Sequence, residues 1–382
     1  MSKVFEYLQG DKIIWIVILL LSIISVLVVY SSTETLAYKY RDGNTEYYII
    51  KHFLIILSGL GLMWLCHKVN YGKYAKIAEI MLLVSGILLM VTLFFGSELN
   101  SAKRWIEIPI LRLSFQPSDL AKLAMIMYTA RILAVYQNSI KESNKAFIKI
   151  IVPLFIICAL IAPADLSSAA LLFCTCFLLM FIGRIRIKHL FVGSAAAVIF
   201  ALVLYACASL AGFEGRTETW KTRAQNFMQD DGDSWQSVQA KIAIANGGLI
   251  GNGPGNSEQS NYLPHPYSDF IYAIIIEEYG LLGGLLVAVL YLILLFRSVR
   301  IFIKSPKAFG AMLAVGLSIS LVVQALMNMA VAVELLPVTG LVLPMISMGG
   351  TSLIFTSISI GIILSVSRYI EEIENSNQSL VK

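Results

Sequence analysis

The sequence predicts an all-α polytopic membrane protein with ten transmembrane helices. Apolar residues make up 58% of the 382 residues and charged residues only 14%. The mean hydropathy of +0.77 is far above that of a soluble domain. Apolar runs long enough to cross a bilayer recur along the chain. The spans are expected at about 13–31, 50–66, 77–95, 117–136, 147–163, 166–183, 188–212, 269–296, 308–332 and 344–367.

Basic residues in the short loops predict the orientation of these spans. One side carries Lys68, Lys73, Lys76, Lys141, Lys145, Arg184, Arg186, Lys188, Arg297, Arg300, Lys304 and Lys307. The loops near 163–166 and 333–343 have no Lys or Arg. Both termini are therefore expected in the cytoplasm, with 32–49, 96–116 and 213–268 outside. The net charge of +5 then reflects topology, and no nucleic-acid partner is expected.

Several functional classes are disfavoured. The five cysteines fall in or beside apolar spans, where small buried hydrophobes describe them better than a disulfide or metal site. The four histidines lack zinc-site spacing. There is no Walker loop, so ATP-driven transport is not expected. The absence of a convincing internal repeat weakens the case for an inverted-repeat carrier.

The long outer segment 213–268 has features of its own. A short amphipathic helix at the membrane interface is predicted from apolar residues at roughly helical spacing: Trp235, Val238, Ile242 and Leu249. A glycine-rich stretch from Asn246 to Ser257 follows, and its backbone N–H groups could receive phosphate oxygens. Such loops are common, so this signal alone is weak.

Asp269 stands where this outer segment becomes an apolar span. A carboxylate at the mouth of a span is costly to desolvate and usually has a task. Two interpretations stay open. With Ser268 as N-cap, Asp269 falls in the first helical turn and complements the helix dipole. Alternatively, Asp269 takes part in chemistry at the outer face.

A second polar cluster is expected nearby, where Pro117 begins the fourth span. Asp119 and Lys122 are three residues apart and share a helix face. They predict a buried ion pair, which could also face a polar cavity beside Asp269. Positive charge suited to a diphosphate is supplied by Lys103, Arg104 and Lys122.

Polar residues at membrane depth are expected mainly to tie helices together, and these are Asp165, Glu277, Glu278, Gln324, Asn328 and Glu334. The stretch from Leu336 to Ser352 breaks the helix at membrane depth. Irregular backbone is tolerated there where it is buried in protein or lines a cavity. This last loop is therefore expected to form a third wall of the site.

Together these strings resemble the SEDS family (FtsW/RodA/SpoVE) of bacterial cell-wall synthesis. The resemblance rests on Arg104-Trp-Ile, Gln116-Pro-Ser-Asp-Leu-Ala-Lys122, Gln239 to Gly255, Tyr262-Leu-Pro-x-x-x-Ser-Asp-Phe-Ile, Glu277-Glu-x-Gly280, Leu336-Pro-Val-Thr-Gly340 and Ile346-Ser-x-Gly-Gly350. It covers most of the chain and implies a single transmembrane domain over 1–382. Gly255-Asn-Ser-x-Gln259 and the overall length are most similar to the division branch, FtsW.

The resemblance implies a peptidoglycan glycosyltransferase that polymerises lipid II at the outer face of the bacterial cytoplasmic membrane during cell division. Asp269 matches the family's essential aspartate, as general base, as ligand of a divalent cation (Mg²⁺ or Mn²⁺), or as both. Substrate binding is expected of Gln116, Asp119, Lys122, Arg104, Gln239, Asn256, Gln259 and Ser347. The expected partners are lipid II, a class B penicillin-binding protein transpeptidase and other divisome membrane proteins.

Three alternatives remain: a lipid II flippase, an elongation-type polymerase, and a scaffold without catalysis, which has no use for the polar cluster. The chain also departs from the family's usual pattern. Asp119 is one methylene shorter than the common glutamate. Ala164-Asp-Leu-Ser167 replaces the usual PDLG or PDFG, which leaves the role of Asp165 open. His265-Pro-Tyr-Ser268 and Ser347-Met-Gly-Gly350 are further departures.

Overall fold

The computed structural model describes residues 9–33, 36, 44–99, 102–108, 113–140, 144–210 and 235–381, with backbone alone for a few of them. Within these ranges the chain forms eleven α-helices and one three-stranded sheet. The helices are α1 Lys12–Ser32, α2 Thr45–Lys68, α3 Gly72–Phe95, α4 Pro117–Val135, α5 Lys145–Ile161, α6 Leu166–Ile182, α7 Ile187–Leu210, α8 Trp235–Gly247, α9 Ile271–Lys304, α10 Ala308–Ala332 and α11 Thr351–Val381. The strands are β1 Ser97–Leu99, β2 Ala102–Ile108 and β3 Leu113–Phe115, and a 3₁₀ turn spans Gln259–Asn261.

The helices follow the hydropathy pattern, and each of the ten apolar runs overlaps one of them. Among the described residues, six helices are long and apolar enough to cross a membrane: α1, α2, α3, α9, α10 and α11. Helix α6 and the first part of α7 are apolar but shorter. The chain is thus a mostly helical, multi-pass protein, and the count of ten spans stays a prediction.

Helix α10 lies at the centre of the bundle and packs against α4, α6, α9 and α11. Small residues let its neighbours approach closely. A β-carbon on Gly316 would stand only 2.8 Å from Leu179 and 3.0 Å from Ile126. Because four helices pack against α10, a polar side chain on α10 has a fixed position from which to hydrogen-bond a neighbouring segment.

The described residues of segment 96–116 form the small sheet, which the sequence did not predict. Strand β2 pairs antiparallel with β1 and with β3, where Ile106 lies opposite Phe115. The sheet leads directly into α4, whose first residue is Pro117, as predicted. Arg104, in the middle of β2, is thereby fixed on a hydrogen-bonded strand.

Helix α9 is interrupted at Gly280, which has φ 70° and ψ −176°. This backbone conformation is open essentially to glycine alone. The turn after α8 packs into the break so tightly that a β-carbon on Gly280 would stand 2.2 Å from the carbonyl oxygen of Leu249. The N–H of Leu281 donates to the oxygen of Gly248 at 2.9 Å, and the glycine-rich stretch thereby joins α8 to α9.

The idea that this stretch receives phosphate is not supported by its hydrogen bonds. The N–H groups of Asn252 and Gly253 donate to the carbonyl oxygens of Glu277 and Glu278, both at 2.9 Å. The N–H of Gly251 donates to Gly247 at 2.8 Å. These donors are occupied because the break in α9 exposes carbonyl groups that need them.

Candidate active site

Asp269 lies in the turn just before α9, outside the helix. The helix begins at Ile271 with Phe270 as N-cap, and no side chain caps it. The predicted N-cap at Ser268 and first-turn position of Asp269 are therefore wrong. The carbonyl oxygens of Tyr267 and Ser268 instead accept bonds from Met348 N–H at 2.9 Å and Ser347 Oγ at 2.7 Å. These two hydrogen bonds hold the turn against the last loop, and the helix begins only after this turn, at Ile271.

The carboxylate of Asp269 is not used for capping. Its Oδ1 accepts a hydrogen bond from Ser268 Oγ at 2.9 Å, and a β-carbon on Gly340 would lie 3.8 Å from its Oδ2. Burial raises the pKa of Asp269 above its ordinary value. The Ser268 hydrogen bond and the nearby His265 and Arg104 side chains lower this pKa but do not outweigh burial.

The predicted break between α10 and α11 is present, and residues 333–350 are not helical. The carbonyl groups of this last loop are satisfied by side chains from three helices. Gln324 Nε2 donates to Val342 at 2.9 Å and Asn328 Nδ2 to Leu341 at 2.7 Å. Ser25 Oγ donates to the carbonyl oxygen of Ile346 at 2.7 Å, and the Tyr291 hydroxyl donates to the carbonyl oxygen of Pro344. Irregular backbone can therefore persist inside the bundle.

Ser347 is buried beside Asp269, but its hydroxyl is already engaged. It donates to the carbonyl oxygen of Ser268 and accepts the N–H of Leu343 at 2.8 Å. Its contacts hold the turn that carries Asp269. A substrate would have to compete with both of these bonds.

Arg104 and Asp165 bring opposite charges close to Asp269. The Arg104 Nη1 atom lies 3.6 Å from Asp165 Oδ2. Arg104 lowers the pKa of Asp269, and Asp165 raises it. Asp165 also caps α6, because its oxygens accept from Ser168 N at 3.0 Å and Ser168 Oγ at 2.9 Å. Arg104 Nε has no partner among the described residues. The side chain of Lys103 lies outside the described part of the chain.

Asp119 and Lys122 form the predicted ion pair, with Lys122 Nζ 2.7 Å from Asp119 Oδ1. The pair lines a small cleft between α4, α10 and α11, which Gln324 also lines. Gln324 connects this cleft to the last loop, because its Nε2 donates to the carbonyl oxygen of Val342. Gln116 precedes α4, and its N–H donates to Thr351 Oγ1 at 3.3 Å.

Three predicted binding residues have contacts elsewhere. Gln239 is buried on α8. Asn256 is exposed, and its Nδ2 donates to Asn252 O at 2.9 Å. The N–H of Gln259 donates to Glu277 Oε1 at 3.3 Å, and Ser257 Oγ also donates to the Glu277 carboxylate. None of these contacts involves Asp269.

The prediction that buried polar residues tie helices together is confirmed for several of them. Glu277 holds the turn at 257–259, Glu278 accepts from Ser31 of α1, and Lys241 of α8 pairs with Glu334 after α10. Gln324 and Asn328 hold the last loop. These contacts join the connecting segments to the apolar helices.

A metal site built from protein ligands alone does not fit this geometry. Within the described ranges there is no group of three or more His, Cys, Asp or Glu side chains that could hold a metal ion. A Mg²⁺ ion usually needs only one or two carboxylates when substrate phosphates complete its shell. Asp269 would be the protein ligand in such an arrangement.

Several proteins of known sequence are similar to this chain. The stage V sporulation protein E of Bacillus subtilis is 32% identical over 375 residues, covering 94% of this chain and 97% of that protein. A probable peptidoglycan glycosyltransferase FtsW of Geobacter metallireducens is 33% identical over 374 residues, covering 95% and 96%. The corresponding protein of Coxiella burnetii is 31% identical over 360 residues, covering 92% and 95%.

Solved structures share the fold. A chain from work on the structural coordination of polymerization and crosslinking by a peptidoglycan synthase complex superimposes with a TM-score of 0.74 at 21% identity, covering 94% of this chain and 98% of that one. The rod shape determining protein RodA of Thermus thermophilus gives 0.67 at 24% identity, covering 95% and 98%. Residues 11–372 match the family model for FtsW, RodA and SpoVE, described as cell cycle proteins. The chain therefore belongs to the FtsW/RodA/SpoVE family.

Proposed function

We propose that this protein is a peptidoglycan glycosyltransferase that polymerises lipid II at the outer face of the bacterial cytoplasmic membrane during cell division. Family membership and the names of its relatives support this function. The observation that carries it is the state of Asp269. Its carboxylate is partly buried, is not spent on a helix cap, and has one hydrogen bond from Ser268 among the contacts described.

In this reaction Asp269 acts as general base. The C4 hydroxyl of the acceptor sugar is a poor nucleophile, and a carboxylate within hydrogen-bond reach takes its proton as the new bond to C1 of the donor forms. Burial raises the pKa of Asp269, which makes the carboxylate a stronger base than an exposed one. Ser268 Oγ holds Oδ1, so the proton goes to the side of Oδ2.

The leaving undecaprenyl diphosphate needs positive charge as its bond to C1 breaks. Arg104 is suited to this task because its Nε is unpaired among the described residues and its fork can bind phosphate oxygens. Lys122 supplies a second charge in the neighbouring cleft. Asp119 orients that lysine, and Gln116 belongs to the proposed substrate-binding residues. A divalent cation with Asp269 as ligand would add further charge at the diphosphate.

The proposal includes ten transmembrane helices in one domain over 1–382, with both termini in the cytoplasm. The distribution of Lys and Arg between loops supports this orientation. The partner is a class B penicillin-binding protein, because a related fold belongs to a complex that couples polymerization to crosslinking. Other divisome membrane proteins and the binding roles of Gln239, Asn256, Gln259 and Ser347 belong to the same proposal.

The test is a glycan-polymerisation assay on purified protein with lipid II, with and without the cognate transpeptidase and with a chelator. Wild-type protein should make glycan strands, and Asp269→Asn should lose at least about 100-fold of that activity. Full activity of Asp269→Asn would remove the base from the proposal.

Two alternatives give different results in related assays. A flippase would move lipid II between leaflets of a vesicle and make no glycan. An elongation-type polymerase would make glycan, but its depletion would disturb the side wall and leave division intact.

A further inference from the structure

Asn328, on α10, connects the backbone of Asp269 to the last loop. Its Nδ2 atom donates to the carbonyl oxygen of Asp269 at 2.9 Å and to that of Leu341 at 2.7 Å. Asn328 is only 1% exposed. Because the side chain is closed to solvent, water cannot easily replace either hydrogen bond if Asn328 is removed.

The direction of this amide is fixed by chemistry. Both partners of Nδ2 are carbonyl oxygens, which only accept hydrogen bonds, so the nitrogen must face them. The Oδ1 atom has no partner among the described residues. The side chain is thus held by its two donated bonds, and its orientation cannot be reversed without losing both.

The helix that carries Asn328 is itself held firmly in the bundle. Helix α10 packs against α4, α6, α9 and α11, and Gln324, one turn earlier, grips the next carbonyl of the same loop, that of Val342. Two amides at i and i+4 therefore hold adjacent loop residues. Of the two, Asn328 is the one bonded to Asp269.

We propose that Asn328 is a positioning residue for the catalytic base, which fixes the backbone of Asp269 against the last loop and keeps its carboxylate withdrawn from water. This inference rests on the proposed function. Asn328 does not touch the reacting atoms; it acts through Asp269. Its loss should lower kcat more than it changes KM.

The division of the effect between kcat and KM separates this role from a merely structural one. A folded variant that has lost only stability would keep its kcat. Misplacement of the base lowers kcat and leaves the binding of substrate nearly unchanged.

The experiment compares Asn328→Ala, Asn328→Gln and Asp269→Asn in the lipid II polymerisation assay. Asn328→Ala should lose about 100-fold in kcat and keep KM near the wild-type value. Asn328→Gln keeps the amide and should recover part of kcat. Should Asn328→Ala not be recovered folded, Asn328→Gln must itself show a reduced kcat with an unchanged KM.

Ser318→Ala is the matched control. Ser318 lies on the same helix, is fully buried, and its hydroxyl has no partner in the described part of the chain. Its variant should keep wild-type kinetics. Wild-type kcat in the Asn328 variants, or the same loss in Ser318→Ala, would overturn the inference. An active Asp269→Asn would instead contradict the proposed function, so the two failures are distinguishable.

Discussion

Gly340 lies directly against the carboxylate of Asp269. A β-carbon built on Gly340 would be 3.8 Å from Asp269 Oδ2. The φ of Gly340 is 71°, a region that residues with a side chain rarely adopt. The missing side chain leaves the space beside Oδ2 free, and a sugar hydroxyl could approach from there.

Gly340→Ala is expected to lower both stability and polymerisation. The left-handed backbone should cost about 1–2 kcal/mol, and the methyl group would fill the space beside Oδ2. Thermal unfolding in detergent and the rate of glycan synthesis measure the two effects. Gly255→Ala is the control, because Gly255 has φ 79° and nothing within 4 Å of an added β-carbon. Equal losses of activity in both variants would mean that the contact with Asp269 has no special importance.

The raised pKa of Asp269 predicts that neutralising this residue will abolish activity without lowering stability at neutral pH. The base must be ionised, so kcat/KM should fall as pH drops through a value above the ordinary one of 3.8. A carboxyl whose pKa is higher in the folded state favours folding below its unfolded pKa, and this contribution is lost as pH rises through the folded pKa. Asp269→Asn should therefore be inactive yet melt no lower than wild type at neutral pH. A clear fall in its melting temperature would contradict this account.

Arg104→Lys is expected to impair polymerisation even though it conserves the charge. Lysine lacks the planar fork, so it cannot reach Asp165 and a phosphate together with the same geometry. The ion pair with Asp165, at 3.6 Å, is partly exposed on the arginine side, and the change should affect stability little. Steady-state kinetics with lipid II checks the prediction, and an unchanged kcat/KM would exclude Arg104 from the site.

Lys122→Ala should destabilise the protein by about 3–5 kcal/mol, because it leaves Asp119 as an unpaired buried charge. Asp119 is 5% exposed and Lys122 12% exposed. The double variant Asp119→Asn with Lys122→Met should recover most of that stability. If Lys122 serves the diphosphate, the recovered protein should still be slow. Recovery of both stability and polymerisation would leave the pair a purely structural role.

Much of the helical architecture was predictable because hydropathy is local. Each apolar run became a helix, Pro117 began α4, and the spacing of Asp119 and Lys122 gave the ion pair. These features depend on residues close together in the chain. Asp269 was likewise identifiable from its place at the mouth of a span.

The features that were missed depend on contacts between distant residues. The start of α9 at Ile271 follows from bonds between Tyr267 or Ser268 and the last loop. The break at Gly280 follows from the approach of Leu249. No local pattern around Ser268 or Gly280 contains that information. Asn328 was expected to tie helices together, but its bond to Asp269 was visible only in the fold.

The bond from Ser347 to Ser268 joins residues 79 positions apart. During synthesis, the turn with Asp269 leaves the ribosome well before α10 and the last loop do. Asp269 is thus present in the growing chain before the groups that hold its turn. A chain truncated ahead of the last loop would contain the aspartate but not its fixed setting. The proposed site can therefore form only after the last loop has been made.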